Sequence, residues 1–208
     1  MNIQNYLVEL KKTYEPTAIL DIGANIGEFS IFCKNLWANV DIVMIEGNYH
    51  CQEYLHNTGF LYYLTLLGDT FKDVDFYIES NNLIGSGASY YKEITSHYNT
   101  PIIERRQVVP LDFFIDKKFD LIKIDTQGSE LDIIKGGKNI ISQAKYVILE
   151  LSLKEYNKNA PNITDTISYM NLLGFNNMRI IDNHVWINHD NVFKYGEIFQ
   201  IDAVFTKV

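Results

Sequence analysis

An α/β domain with a mainly parallel sheet is the fold class this sequence predicts, and three observations carry the prediction. Short apolar runs recur at 17–21, 41–46, 60–67, 119–125 and 145–151. Segments of helical spacing lie between most of them, at 27–37, 48–57 and 128–134. The second run is apolar throughout its centre, as suits a strand covered by helices on both faces.

Each element has its own signal. Ile3, Tyr6, Leu7 and Leu10 recur at helical spacing over residues 2–14, and Pro16 ends that helix. Thr17–Asp21 is a buried strand leading into a sharp turn at Gly23. Residues 27–37 form a helix with Phe29, Phe32, Cys33 and Leu36 on one face. Asp41–Glu46 is the second strand, Asn48–Asn57 a helix and Phe60–Leu67 the third strand. Val74–Glu79 alternates as a half-buried strand does. Residues 80–100 hold no long apolar run, and Asn81, Asn82, Gly85, Ser86, Gly87 and Ser89 crowd their first half. A loop of that length in a compact domain is often functional. A short strand at 106–111 and a short helix at Leu111–Ile115 follow. Phe119–Asp125 is an apolar strand interrupted by Lys123. A helix from Gly128 to Ile134 breaks at Gly136-Gly137, Lys145–Leu151 is a strand, and Asn162–Leu173 is a helix stopped by Gly174. Met178–Ile187 and Glu197–Lys207 read as a final antiparallel pair joined by a polar connection.

Composition fits one domain over residues 1–208. With 47% apolar residues in 208, the chain has material for a sizeable core. The formal charge of -8 argues against general nucleic-acid binding, which needs many cations. Two cysteines cannot form the framework of a disulfide-rich secreted domain, and Cys33 and Cys51 read as buried free thiols. The first residues lack the apolar stretch of a signal peptide, and no run is long enough to span a bilayer. The expected location is cytoplasmic.

The chemistry begins at Asp21-Ile22-Gly23-Ala24-Asn25-Ile26-Gly27, between the first strand and first helix. Glycine there permits a tight turn and lets backbone approach a ligand. Asn25 and Glu28 stand where a dinucleotide fingerprint needs glycine, so an NAD-dependent oxidoreductase is disfavoured. No Lys-Ser/Thr pair follows, which removes a phosphate-gripping loop. Asp21 suits a cationic or zwitterionic ligand, such as the amino-acid end of S-adenosylmethionine. Glu46 ends the second strand, where a carboxylate can bond both hydroxyls of a ribose. The plainer alternatives are a capped strand–helix turn and a carboxylate that caps the next helix.

A second block lies at Leu121-Ile122-Lys123-Ile124-Asp125-Thr126-Gln127-Gly128-Ser129-Glu130, followed by LDIIKGG. Together, DIGANIGEFS, IEGN and this block resemble the FkbM family of class I S-adenosylmethionine-dependent methyltransferases. Members typically show an apolar-Lys-apolar-Asp-x-Glu/Gln-Gly-x-Glu pattern there. VVPLDFFI, VILEL, Gly174-Phe175 and a terminal DAVF are weaker echoes, and the resemblance covers about residues 17–206. It implies a Rossmann-like class I methyltransferase fold, with a mainly parallel seven-stranded sheet and an antiparallel terminal strand. It implies S-adenosylmethionine as cofactor and O-methyl transfer to a hydroxyl of a sugar or small natural product. By the same resemblance Asp21, Gly23, Asn25 and Gly27 surround the methionine part and Glu46 the ribose. Asp69, in Leu67-Gly68-Asp69, matches more loosely a segment that runs near the adenine. Gln127 stands where many members have Glu.

For the acceptor side, Lys123 and Asp125 share one strand face near its C-terminal end. That pair could position a hydroxyl and take its proton. Glu130 near the next helix start could bind substrate, orient Lys123 or cap the helix, and the trio could also be a structural ion-pair network. Glu150 ends the following strand as a further base candidate. In the 80–100 segment Ser86, Ser89, Tyr90, Tyr91 and His97 offer polar contacts for the acceptor. His50, His56, His184 and His189 form no compact ligand motif, and no metal is expected. The short chain leaves acceptor recognition to the loops, to residues 80–100 or to an oligomeric partner. A non-catalytic Rossmann-like module and a methyltransferase acting on nitrogen remain alternatives.

Overall fold

Alternation along the central strands gives one sheet two apolar faces. We describe the protein from a computed structural model covering residues 2–187 and 192–207. Its strands are β1 (Ala18–Ile22), β2 (Asp41–Glu46), β3 (Leu61–Leu64), β4 (Leu66–Gly68), β5 (Lys72–Ile78), β6 (Ile102–Pro110), β7 (Leu121–Ile124), β8 (Tyr146–Ser152), β9 (Asn177–Val185) and β10 (Ile198–Thr206). Its helices are α1 (Ile3–Lys11), α2 (Glu28–Leu36), α3 (Gln52–Asn57), α4 (Leu111–Phe114), α5 (Glu130–Gly136), α6 (Lys138–Ile141) and α7 (Ile163–Leu172). Seven strands pair in the order β3-β2-β1-β7-β8-β10-β9. All of β3 through β8 in that order run parallel, and β10 lies antiparallel to both of its neighbours. The seven-stranded, mainly parallel sheet is as expected. Part of the polar connection before β10, with His189, lies outside the described residues.

Successive residues of β1 serve opposite cores. Leu20 and Ile22 join Ile45, Ile124 and Leu149 beneath Ile133, Ile141 and Met170 of α5, α6 and α7. Ile19 joins Met44, Leu121 and Ile148 against Leu7, Cys33 and Leu55 of α1, α2 and α3. Cys33 and Cys51 are buried free thiols. No helix among the described residues is long and apolar enough to cross a membrane.

The main departure from expectation is a second, three-stranded sheet, β4-β6-β5. The run 60–67 divides at Thr65. Its first half pairs with β2, while Leu66 and Leu67 pair with Val108 and Val109 of β6. Strand β6 also begins at Ile102, earlier than expected, because Ile102, Ile103 and the charged stretch Glu104–Arg106 pair antiparallel with β5. The small sheet has its own core of Leu66, Phe76, Ile78 and Val108. It is fastened to α5 by close approach: a Cβ on Gly136 would lie 1.9 Å from the Gly68 carbonyl oxygen. The long 79–101 connection folds back over the C-terminal edge of the main sheet. Asn25 Nδ2 donates to the Ile84 carbonyl at 3.0 Å and Asn48 Nδ2 to the Leu83 carbonyl at 2.6 Å.

Candidate active site

The turn after β1 is built from backbone. Gly23 and Gly27 have φ of +75° and +87°, and Asn25 sits at +49°. The N–H groups of Gly23 and Ala24 donate to the Ile45 carbonyl, which holds the turn against β2. A Cβ on Gly23 would fall 1.7 Å from the Asp125 carbonyl oxygen, so only glycine lets the two strand ends approach this closely. Beside the turn opens a cavity of about 260 Å³. Leu66, Leu67, Phe76 and Ile133 form its apolar wall. Glu46 lines it too, with one oxygen accepting from the Asn25 N–H and the other from the Asn48 N–H, both at 2.7 Å. Each oxygen keeps a second lone pair for a ligand hydroxyl. Burial pushes the Glu46 carboxyl pKa up, and the two N–H donors oppose that push. Polar carboxylate, apolar wall and bare backbone fit a nucleoside carrying an amino-acid tail.

Lys123 enters an apolar strand because its charge is matched. Asp21 and Lys123 are direct partners in the β1–β7 ladder. The ammonium stands 3.1 Å from Asp125 Oδ2 and 3.7 Å from Asp21 Oδ1, over the Phe29 ring. Burial alone would discharge it, but the two carboxylates raise its pKa. Burial opposes the charge of Asp125 as well. Lys123 outweighs it and, with a Gln127 hydrogen bond, holds that carboxyl below the usual range.

Of the sequence-predicted residues, Gly23, Asn25, Glu46, Ser86, Ser89, Tyr90, Lys123 and Asp125 line this cavity. Four others do not. Asp21 is fully buried, takes the Ser30 hydroxyl at 2.7 Å and holds Lys123 from behind. Gly27 packs inward, where a side chain would meet Thr58. Asp69 pairs with Lys72 at 2.8 Å outside the lining. Glu130 folds back on the turn before α5, accepting from the Thr126 and Gly128 N–H groups and the Thr126 hydroxyl. It caps that turn and does not touch Lys123 among the described contacts. Tyr90 was expected on the acceptor side. Its ring lines the first cavity, and its hydroxyl donates to Asp132 at 3.1 Å.

His97 and Glu150 line a second cavity of about 390 Å³, which shares Gly85 and Ser86 with the first. It lies over the β8, β9 and β10 ends and holds residues to which the sequence reading gave no role in the site: Glu93, Tyr98, Gln127, His184 and Gln200. Gln127, at φ +56°, donates to both Asp125 and Glu150 and so ties the cavities together. Gln200 donates to Glu150 at 3.0 Å. Glu150 lies directly across from Asp202 in the β8–β10 ladder. Burial, Asp125 and Asp202 raise its pKa well above the carboxylate range. His184 stands 3.1 Å from Asp202, and that hydrogen bond raises its pKa against the effect of burial. Glu150, His184 and Asp202 present ligand atoms within 4.8 Å of one another, a set able to accept a cation. They come from three strands, so no local spacing announces them.

Comparison with known proteins identifies the family. A family model described as the methyltransferase FkbM domain matches residues 21–176. Among solved structures, a methyltransferase FkbM from Methylobacillus flagellatus KT aligns with TM-score 0.59 and 16% identity over 91% of this chain. The alignment spans 43% of that protein. A putative O-methyltransferase from Klebsiella pneumoniae aligns with TM-score 0.53 and 12% identity, over 99% of this chain and 78% of that one. The N-terminal domain of EvdMO1, solved in the presence of SAH and D-fucose, gives TM-score 0.53 and 11% identity over 99% and 81%. A search of curated proteins finds no match. The structural likenesses establish the fold, and the family match covers most of the chain. The chain belongs to the FkbM family of S-adenosylmethionine-dependent methyltransferases.

Proposed function

We propose that this chain methylates a hydroxyl of a sugar or another small natural product. The junction of the two cavities carries the reading. Gly85 and Ser86 line both, and hydrogen bonds run from Asp125 through Gln127 to Glu150. When bound, S-adenosylmethionine supplies a methyl group activated on a sulfonium, so transfer is an in-line displacement. The chain's own task is alignment and proton removal. Three carboxyl groups, Glu28, Glu46 and Asp125, line the first cavity against the one ammonium of Lys123, a balance that favours a sulfonium there. Gln127 donates to both Asp125 and Glu150, and we assign Asp125 as the proton acceptor, with Glu150 linked to it through that amide. His184, half-exposed beside Glu150, offers the proton a route to solvent. The two structural neighbours named above as an O-methyltransferase and as solved with D-fucose support the same class of acceptor.

The test is a screen of hydroxyl and amine acceptors with methyl-labelled S-adenosylmethionine, reading the methylated atom by NMR. A methyl ether is the expected product. A methylamine would replace the hydroxyl assignment. Failure to bind S-adenosylmethionine at all, or equal binding of NAD, would remove the reading entirely.

A further inference from the structure

The second cavity has a consistent electrostatic character. Glu79, Glu93 and Glu150 line it, and no lysine or arginine does among the described residues. Its two lining histidines already face carboxylates, His97 at 3.0 Å from Glu79 and His184 at 3.1 Å from Asp202. Glu93 is buried and accepts the Thr95 hydroxyl. An anionic group placed here would lose water and gain like charges.

The rest of the lining suits a polyhydroxylated molecule. Asn82, Ser86, Gln127 and Gln200 offer amide and hydroxyl groups. Tyr156 and Phe199 give an aromatic surface, with ring centroids 5.2 Å apart. Trp186 packs behind Phe199 at 5.2 Å. Tyr98 adds the observation that points to a ligand. It is 2% exposed and lines the cavity, yet its hydroxyl has no hydrogen-bond partner among the described residues. A buried donor left in this state is costly unless something supplies the acceptor. Gly87 lies close by, where a Cβ would stand 2.9 Å from that hydroxyl and 2.5 Å from Glu93 Oε2.

We propose that the second cavity is an acceptor chamber selective for polyols without an anionic group, meaning neutral or amine-bearing sugar-like molecules and not sugar phosphates, uronates or nucleotide-linked sugars. The inference rests on the reading of this cavity as the acceptor side. Tyr98 donates to an acceptor oxygen, and the carboxylates take hydroxyl or ammonium protons.

The experiment uses the full chain with S-adenosylhomocysteine bound. Binding is read by saturation-transfer NMR, independently of turnover. The probes are the methyl glycoside of a hexose, the 2-amino-2-deoxy hexose, the hexose 6-phosphate and the uronic acid. The neutral and amino members should bind about tenfold more tightly than the two anions. Glu93→Gln should narrow that gap. Tyr98→Phe should weaken the neutral and amino probes about two- to tenfold while leaving cofactor affinity unchanged. Equal or tighter binding of the phosphate or uronate overturns the inference, as does binding of none of the probes. O-methylation of a phosphorylated sugar would overturn it and leave the proposed O-methyl transfer standing. Neutral sugars that bind here but are never methylated would do the reverse.

Discussion

The first cavity, proposed to take the cofactor, and the second, proposed to take the acceptor, adjoin at the same sheet edge, yet they are made in different ways. The first is organised by backbone: one seven-residue turn, with a strand-end carboxylate, an apolar wall and the side chains of Ser86, Ser89, Tyr90, Lys123 and Asp125 around it. The second is side chains gathered from the 79–101 loop, the β7–α5 turn and three strands. A backbone site imposes itself on a contiguous stretch of sequence, because positive φ and close approach demand glycine at fixed places. A side-chain chamber imposes only a few polar residues, scattered along the chain. Tolerance to mutation should differ accordingly.

The largest expected effect tests the backbone side. Gly23→Ala must place a Cβ within 1.7 Å of the Asp125 carbonyl oxygen and hold a left-handed φ. We expect a stability loss on the order of 3 kcal/mol or more and cofactor affinity reduced at least about a hundredfold. Thermal melts and calorimetry read both. Near-normal affinity would break the contrast, since it would mean that the strand ends part without harm to the shelf.

Next come the groups that join the cavities. Asp125→Asn and Glu150→Gln should each lower kcat about a hundredfold while cofactor Kd stays within about threefold. Steady-state kinetics beside titration calorimetry checks the split. Equal loss of kcat and cofactor affinity in Asp125→Asn would move that residue to the cofactor side and erase the division drawn here.

This division also explains what was legible. The order of strands and helices, the glycine turn, Glu46 and the Lys123–Asp125 pair follow from local pattern, and the structure brings them together. Asp21 sits in the right motif but turns inward, because its partner Lys123 is across the ladder and sequence spacing does not reveal which carboxylate faces solvent. The second sheet was hidden because the charged stretch Glu104–Arg106 interrupts the apolar residues of β6, so apolar periodicity is weak there. His184 and Asp202 meet Glu150 only through the antiparallel insertion of β10 between β8 and β9. No short-range signal encodes that.

The smallest effect concerns the boundary between the regions, at Glu130. By sequence it belonged with the acceptor side, whereas the structure gives it to the turn that supports Gly128. Burial raises its pKa from 4.5 to about 7 against the hydrogen bonds it accepts. The folded state therefore holds the proton more tightly than the unfolded chain. This contribution to stability is fully present below about pH 4.5 and is lost as pH rises through about 7, a change on the order of 3 kcal/mol. Glu46, Glu93 and Glu150, whose carboxyl pKa values burial also raises, slope the same way, so the informative quantity is the difference between the chain and Glu130→Gln. Melting temperatures from pH 4.5 to 7.5 should fall less steeply in the variant, and kcat at neutral pH should change less than about threefold. An unchanged slope with a collapse of kcat would return Glu130 to the acceptor chemistry, and would show that the chamber extends behind the β7–α5 turn.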